Sequence, residues 1–132
     1  MERTNGKELI MNALTEYGKI LRHYRIDNQI LLADMAKTLG ISPAYLSSIE
    51  TGSRAVPADL TEKVVDMYRF DEEMRTRLMK AEADTNKSLT IDLRDASPEA
   101  VDATVMFARE IRNLSVQEVR DLYNKMHGIR NM

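Results

Sequence analysis

Between residues 15 and 83 apolar positions recur at intervals of three and four, and capping residues punctuate them. Thr15 followed by Glu16 reads as the start of a helix running to about Arg25, with Tyr17, Ile20, Leu21 and Tyr24 on its apolar side. Leu32, Met35, Ala36 and Leu39 form the stripe of one buried face over 31–39, and Gly40 supplies the left-handed backbone that closes that helix. Ser42 and Pro43 then open another, over 43–51, because serine accepts free amides and proline suits a first position that needs no amide partner. Leu46 and Ile49 point inward there, and Gly52 ends the helix. A fourth helix starts near Pro57 or Ala58 and buries Leu60, Val64, Met67 and Tyr68. Asp71 caps a fifth, with Glu72 and Glu73 in its first turn and Met74, Leu78 and Ala81 facing the core.

The flanks differ. Residues 1–14 carry only the short cluster Leu9, Ile10 and Met11 and read as an arm or a short helix; Arg3 and Lys7 give it two cations. The polar run DTNKS, 84–88, reads as a linker. After it the period changes to two, with Leu89, Ile91 and Leu93 alternating with Thr90 and Asp92, which predicts one short β-strand. A single strand has no partner in its own chain. It either pairs with its counterpart in a second copy as a two-stranded ribbon or packs on a helix as an extended segment. Ser97-Pro98-Glu99 opens a helix with Val101, Val105, Ala108 and Ile111 on one side, and Ser115 with Glu118 has capping-box spacing ahead of a last helix ending near His127-Gly128. The expected architecture is all-α: an arm (1–14), a five-helix domain (15–83), and an extension of one strand and two helices (84–132) that joins copies or binds a partner.

Composition narrows the function. With 43% hydrophobic and 30% charged residues the chain has the balance of a folded protein, and with no cysteine it has no disulfide or thiolate metal site. No apolar run exceeds four residues and the start is charged, so neither a membrane span nor a signal peptide is expected and a cytoplasmic location is. The net charge is −2, against coating nucleic acid through bulk electrostatics. Residues 1–56 nevertheless hold seven Lys and Arg to six Asp and Glu, while the remainder holds twelve to fifteen. Any DNA contact must come from placement of a few cations.

The order Ala36, Gly40, Ser42, Leu46, Ile49, Glu50, Gly52 resembles the helix-turn-helix of the phage repressors and Cro, the Xre group, with the flanking YGKILRHYRID and ETGSRAVP inside the resemblance. It implies a lambda repressor-like fold for about residues 15–70. It also implies that 43–51 is a recognition helix, with Pro43, Ala44, Ser47 and Ser48 nearest the base edges and Tyr45 between base and backbone contacts. Arg25 and Glu50 match the family's structural salt bridge beside the DNA surface. One departure is that Leu31-Leu32 stands where the family has a Thr or Ser cap followed by a phosphate-gripping Gln. Backbone contacts then fall to Lys19, Arg22, Lys37, Thr51 and Arg54, helped by amides near Leu32 and Thr51. With no Arg, Gln or Asn on 43–51, bidentate base readout is missing, and DNA shape and half-site spacing must contribute.

Blander assignments compete at several positions. Tyr45 suits a core edge as well as an exposed face, and Lys19 and Arg22, three apart, suit a solvated helix face. His23 and His127 lack partners at metal-ligand spacing, so no metal is expected; His127 fits a helix end among carbonyls. There is no cysteine nucleophile, phosphate loop or nucleophile elbow, so neither catalysis nor a cofactor is expected. The partners implied are double-stranded DNA and a second copy, with Leu89, Ile91, Leu93, Val105 and Ile111 as dimerisation candidates. The rival is an interaction module, an antitoxin or an anti-repressor target, whose helices over 98–127 hold a protein partner.

Overall fold

The structure, a computed structural model, describes residues 13–130; the arm's Arg3 and Lys7 lie outside them. It contains two compact units, one through Thr90 and one from Ile91 onward. Among the described residues the first holds five helices: α1 (Glu16–Asn28), α2 (Leu32–Leu39), α3 (Pro43–Glu50), α4 (Leu60–Tyr68) and α5 (Glu72–Asn86). The second holds α6 (Pro98–Glu110), a single 3-10 turn (Ile111–Asn113) and α7 (Val116–Arg130).

Caps set most of these boundaries. Thr15, Ser42 and Asp71 accept backbone amides of Gly18, Tyr45 and Met74, which satisfies donors that a helix start leaves free. At the other ends Gln29, Gly40 and Lys87 take left-handed backbone. A Cβ at Gly40 would meet nothing within 4 Å, so its φ of 74° alone calls for glycine there. In the first unit α1 packs on α3 and α5, α2 on α3 and α4, and α4 on α5. Tyr17, Leu21, Met35, Leu39, Leu46, Ile49, Val64 and Leu78 are fully enclosed among them. Tyr24 closes one edge, edge-on to Tyr68 and Phe70 at 5.2 and 5.0 Å.

Four expectations need correction. Residues 89–93 form no strand, and no strand exists among the described residues. The alternation is present but the hydrogen-bonding partner is not, and a local turn ends the segment. Arg94 donates its amide and guanidinium to Asp92, holding that carboxyl down to about 2, and Asp95 takes a φ of 65°. The polar DTNKS run is helical through Asn86, because the Asn86 amide bonds Val56 in both directions, Oδ1 from Val56 N at 3.0 Å and Nδ2 to Val56 O at 2.9 Å. On α4, Met67 is exposed whereas Thr61 is buried, its polar side chain being satisfied internally. His127 lies within α7, stacked on Tyr123 at 5.9 Å, rather than among carbonyls at a helix end.

Thr61 belongs to a buried polar chain. Its hydroxyl donates to Glu82 Oε1 at 2.6 Å, so the Tyr17 phenol, 3.1 Å from Thr61 Oγ1, must be the donor in that contact. Burial raises the Tyr17 pKa above its ordinary 10.0, and the Glu82 and Glu50 carboxylates add to the rise. A phenol that ionises more readily unfolded than folded contributes stability below pH ~10 that is lost as pH climbs further. Tyr17→Phe should therefore flatten the alkaline fall in stability while costing about 1 kcal/mol near neutrality. Denaturant melts of both proteins on either side of pH ~10 check this, and parallel losses would contradict it.

Candidate nucleic-acid interface

The candidate surface is built around α3. Leu46, Ile49 and Glu50 turn inward, and Ala36, fully buried on α2, lets the two helices approach. Pro43, Ala44 and Ser47 face solvent with small side chains. Tyr45 and Ser48 are half-buried, Tyr45 against the core edge. The Ser48 hydroxyl donates back to Tyr45 O at 2.6 Å, and its carbonyl accepts from Arg54 N at 3.1 Å and Ser53 Oγ at 3.2 Å. Ser48 thus pins the loop after α3. Thr51 Oγ1 turns back to Ser47 O at 3.1 Å, and Lys37 and Arg54 are exposed.

Glu50, the last residue of α3, is held at both ends of α1. Its carbonyl accepts from Thr15 N at 2.9 Å and Thr15 Oγ1 at 3.1 Å, at the start of α1. Its carboxylate receives both terminal nitrogens of Arg25, near the end of α1, at 2.5 and 2.7 Å. Arg25 and Glu50 are 4% and 2% exposed, and Arg25 Nη1 also reaches Met35 Sδ at 3.2 Å on α2. One planar guanidinium therefore ties three helices, as its paired donors permit. Between those two anchors Gly18 lies against the Glu50 backbone so closely that a Cβ would stand 2.2 Å from Glu50 O. An isolated glycine inside an otherwise good helical pattern was the signal for that close approach.

The two candidate phosphate-binding cations of α1, Lys19 and Arg22, fall on different faces. Gly18, Arg22, Arg25 and Gln29 are spaced by four, three and four, so they share a side. Arg22 lines a groove of about 390 Å³ with Gln29, Leu31 and Leu32, at the start of α2. There Leu31 caps the helix with no side-chain hydrogen bond. Arg22 Nε is enclosed and has no hydrogen-bond partner among the described residues. Lys19 instead borders a groove of about 460 Å³ between α1 and α5, with His23 and Arg77, and pairs with Glu16 at 3.3 Å. The fold brings Arg22 beside the free amides of α2 and separates Lys19 from them.

In the extended segment Leu89 and Ile91 are exposed and Leu93 is half-buried; Val105 is exposed on α6 and Ile111 half-buried after it. Among the described residues no cluster of three His, Asp or Glu could hold a metal ion, and no helix is long and apolar enough to cross a membrane. No curated protein and no solved structure matches the chain. Residues 16–78, from the first residue of α1 to the Leu78 core position of α5, match the family model of a helix-turn-helix domain, which is what this stretch is similar to.

Proposed function

We propose that the protein is a sequence-specific transcriptional regulator of Xre and Cro type, a homodimeric cytoplasmic repressor without enzymatic activity. Its α3 enters the DNA major groove. The observation that carries this reading is the outward face Pro43, Ala44 and Ser47, uncluttered and fixed from behind by Glu50. Such a helix fits a groove about 12 Å wide. Ser47 offers a hydroxyl to base edges and Ala44 a methyl to thymine. Arg22 and the uncapped amides of α2 take over the phosphate grip that Leu32 cannot supply, because a helix start with a cation beside it favours an anion. Arg54 and Lys37 add backbone contacts. Two such modest half-sites become selective when linked in a dimer.

The test is selection of bound duplexes from a random pool by the full chain. A two-fold symmetric motif should be enriched, and a pool left unenriched would remove the reading. The apolar, exposed sides of α6 and α7 favour a second reading, in which this pair holds a toxin or anti-repressor and DNA binding is autoregulatory.

A further inference from the structure

The unit from Ile91 onward has helices but no interior. Not one side chain from Ile91 to Ile129 is buried. Ile91, Val105, Met106, Phe107, Val116, Val119, Tyr123, Met126 and Ile129 are 38–74% exposed. A unit of about 40 residues is at the limit of what buries a core unaided. Natural chains do not leave that much apolar surface uncovered without a use for it.

The uncovered residues are patterned. On α7, Val116, Val119, Tyr123 and Met126 recur at three, four and three, with Leu122 and Ile129 alongside, seven apart. That wide stripe is the one a bundle helix presents to several neighbours rather than to one. On α6 the cleft side carries Thr104, Phe107 and, past its end, Ile111. The two faces enclose an open cleft of about 540 Å³ whose lining is almost wholly apolar.

We infer that the cleft between α6 and α7 is filled by the same two helices of a second copy, the two pairs closing a four-helix bundle about a two-fold axis. The inference rests on the dimeric reading proposed above and names its surface.

Three observations select a second copy as the occupant. Five of the nine exposed side chains, Ile91, Phe107, Val119, Tyr123 and Met126, line the cleft itself, and a continuous apolar patch of that kind is what the buried centre of a stable dimer interface is made of. From Ser97 to Arg130 there are five acidic and five basic residues, so two copies meet without net repulsion. On α6 the acids Glu99 and Asp102 lie near the start, and Arg109, Glu110 and Arg112 near and just past the end, which leaves the start net negative and the end net positive. With the two-fold axis perpendicular to the helices the two α6 copies run antiparallel, which sets the acidic start of each against the basic end of the other.

Light scattering on the full chain, without DNA, tests the inference. The expected mass is twice 15.1 kDa, with a thermal midpoint that rises with protein concentration. Phe107→Asp and Met126→Glu should each weaken the dimer at least about 30-fold, the scale of losing an interface anchor. Phe107→Leu should remain dimeric, which separates loss of apolar contact from disturbance by any substitution. A chain that stays at 15.1 kDa at the highest concentration reached would overturn the inference and leave the face to another polypeptide. Dimers undiminished by either charged substitution would overturn it as well. A dimer that binds no duplex would instead count against the DNA reading alone.

Discussion

Replacing Glu50 with alanine should lower the stability of the helix-turn-helix domain by about 3–5 kcal/mol, because it strands the Arg25 guanidinium inside the protein. Arg25 is 4% exposed and its guanidinium is held between Met35 on α2 and Glu50 on α3. Arg25→Ala should cost a similar amount by stranding the carboxylate instead. For a domain of this size the loss corresponds to a fall in melting temperature of roughly 15–30 °C. Two buried charges removed together leave neither stranded, so Arg25→Met combined with Glu50→Met should be markedly less damaging than the sum of the single changes. Calorimetry of the parent, Arg25→Met, Glu50→Met and the variant carrying both makes this a double-mutant cycle. Additive losses would mean that the pair is not the tie between α1 and the end of α3.

Gly18→Ala is the second large effect, and its sign is informative. Helix propensity alone favours the change by about 1 kcal/mol, since glycine is a poor interior residue and Gly18 is in the first turn of α1. Packing opposes it. The added methyl would sit 2.2 Å from Glu50 O and 2.8 Å from Glu50 C, backbone atoms that cannot rotate aside. Separating the helices enough to admit it would also stretch both Thr15 bonds to the Glu50 carbonyl. We expect a net loss of roughly 2–4 kcal/mol. A chemical-denaturation midpoint at or above that of the parent would show that α1 and α3 are not in contact there.

The helix-turn-helix was legible in the sequence because its signals are local. Gly40 ends one helix through a backbone angle, Ser42 and Pro43 start the next, and the intervals among Met35, Leu39, Leu46 and Ile49 report which sides are buried. What was not legible depends on residues far apart in the chain. Gly18, an isolated glycine in a helical pattern, marks a close approach, but nothing near it says that the approaching residue is Glu50. Asn86 reads as linker until Val56, thirty residues earlier, is found bonded to it. Thr61 reads as the polar side of α4 until Glu82 and Tyr17 take up its hydroxyl. The expected strand at 89–93 failed for a related reason: alternation describes a side-chain pattern, whereas a strand requires a partner's backbone. On the interface itself, spacing separates Pro43, Ala44 and Ser47 from the core. It could not show that Tyr45 and Ser48 are half-buried, since that depends on how α3 sits on its neighbours.

All of this converges on how α3 is presented. Thr15, Gly18 and Arg25 fix its end through Glu50, Ala36 and Gly40 fix its beginning, and Ala44 and Ser47 are left facing outward. The most direct measurement is a fluorescence-anisotropy titration of the duplex recovered by selection, comparing the parent with Ala44→Asp and Ser47→Asp. Both positions are exposed, so melting temperatures should stay within a few degrees, while a carboxylate thrust toward the bases should weaken binding at least about 100-fold. Equal affinity for the parent and both aspartate variants would mean that α3 does not read DNA.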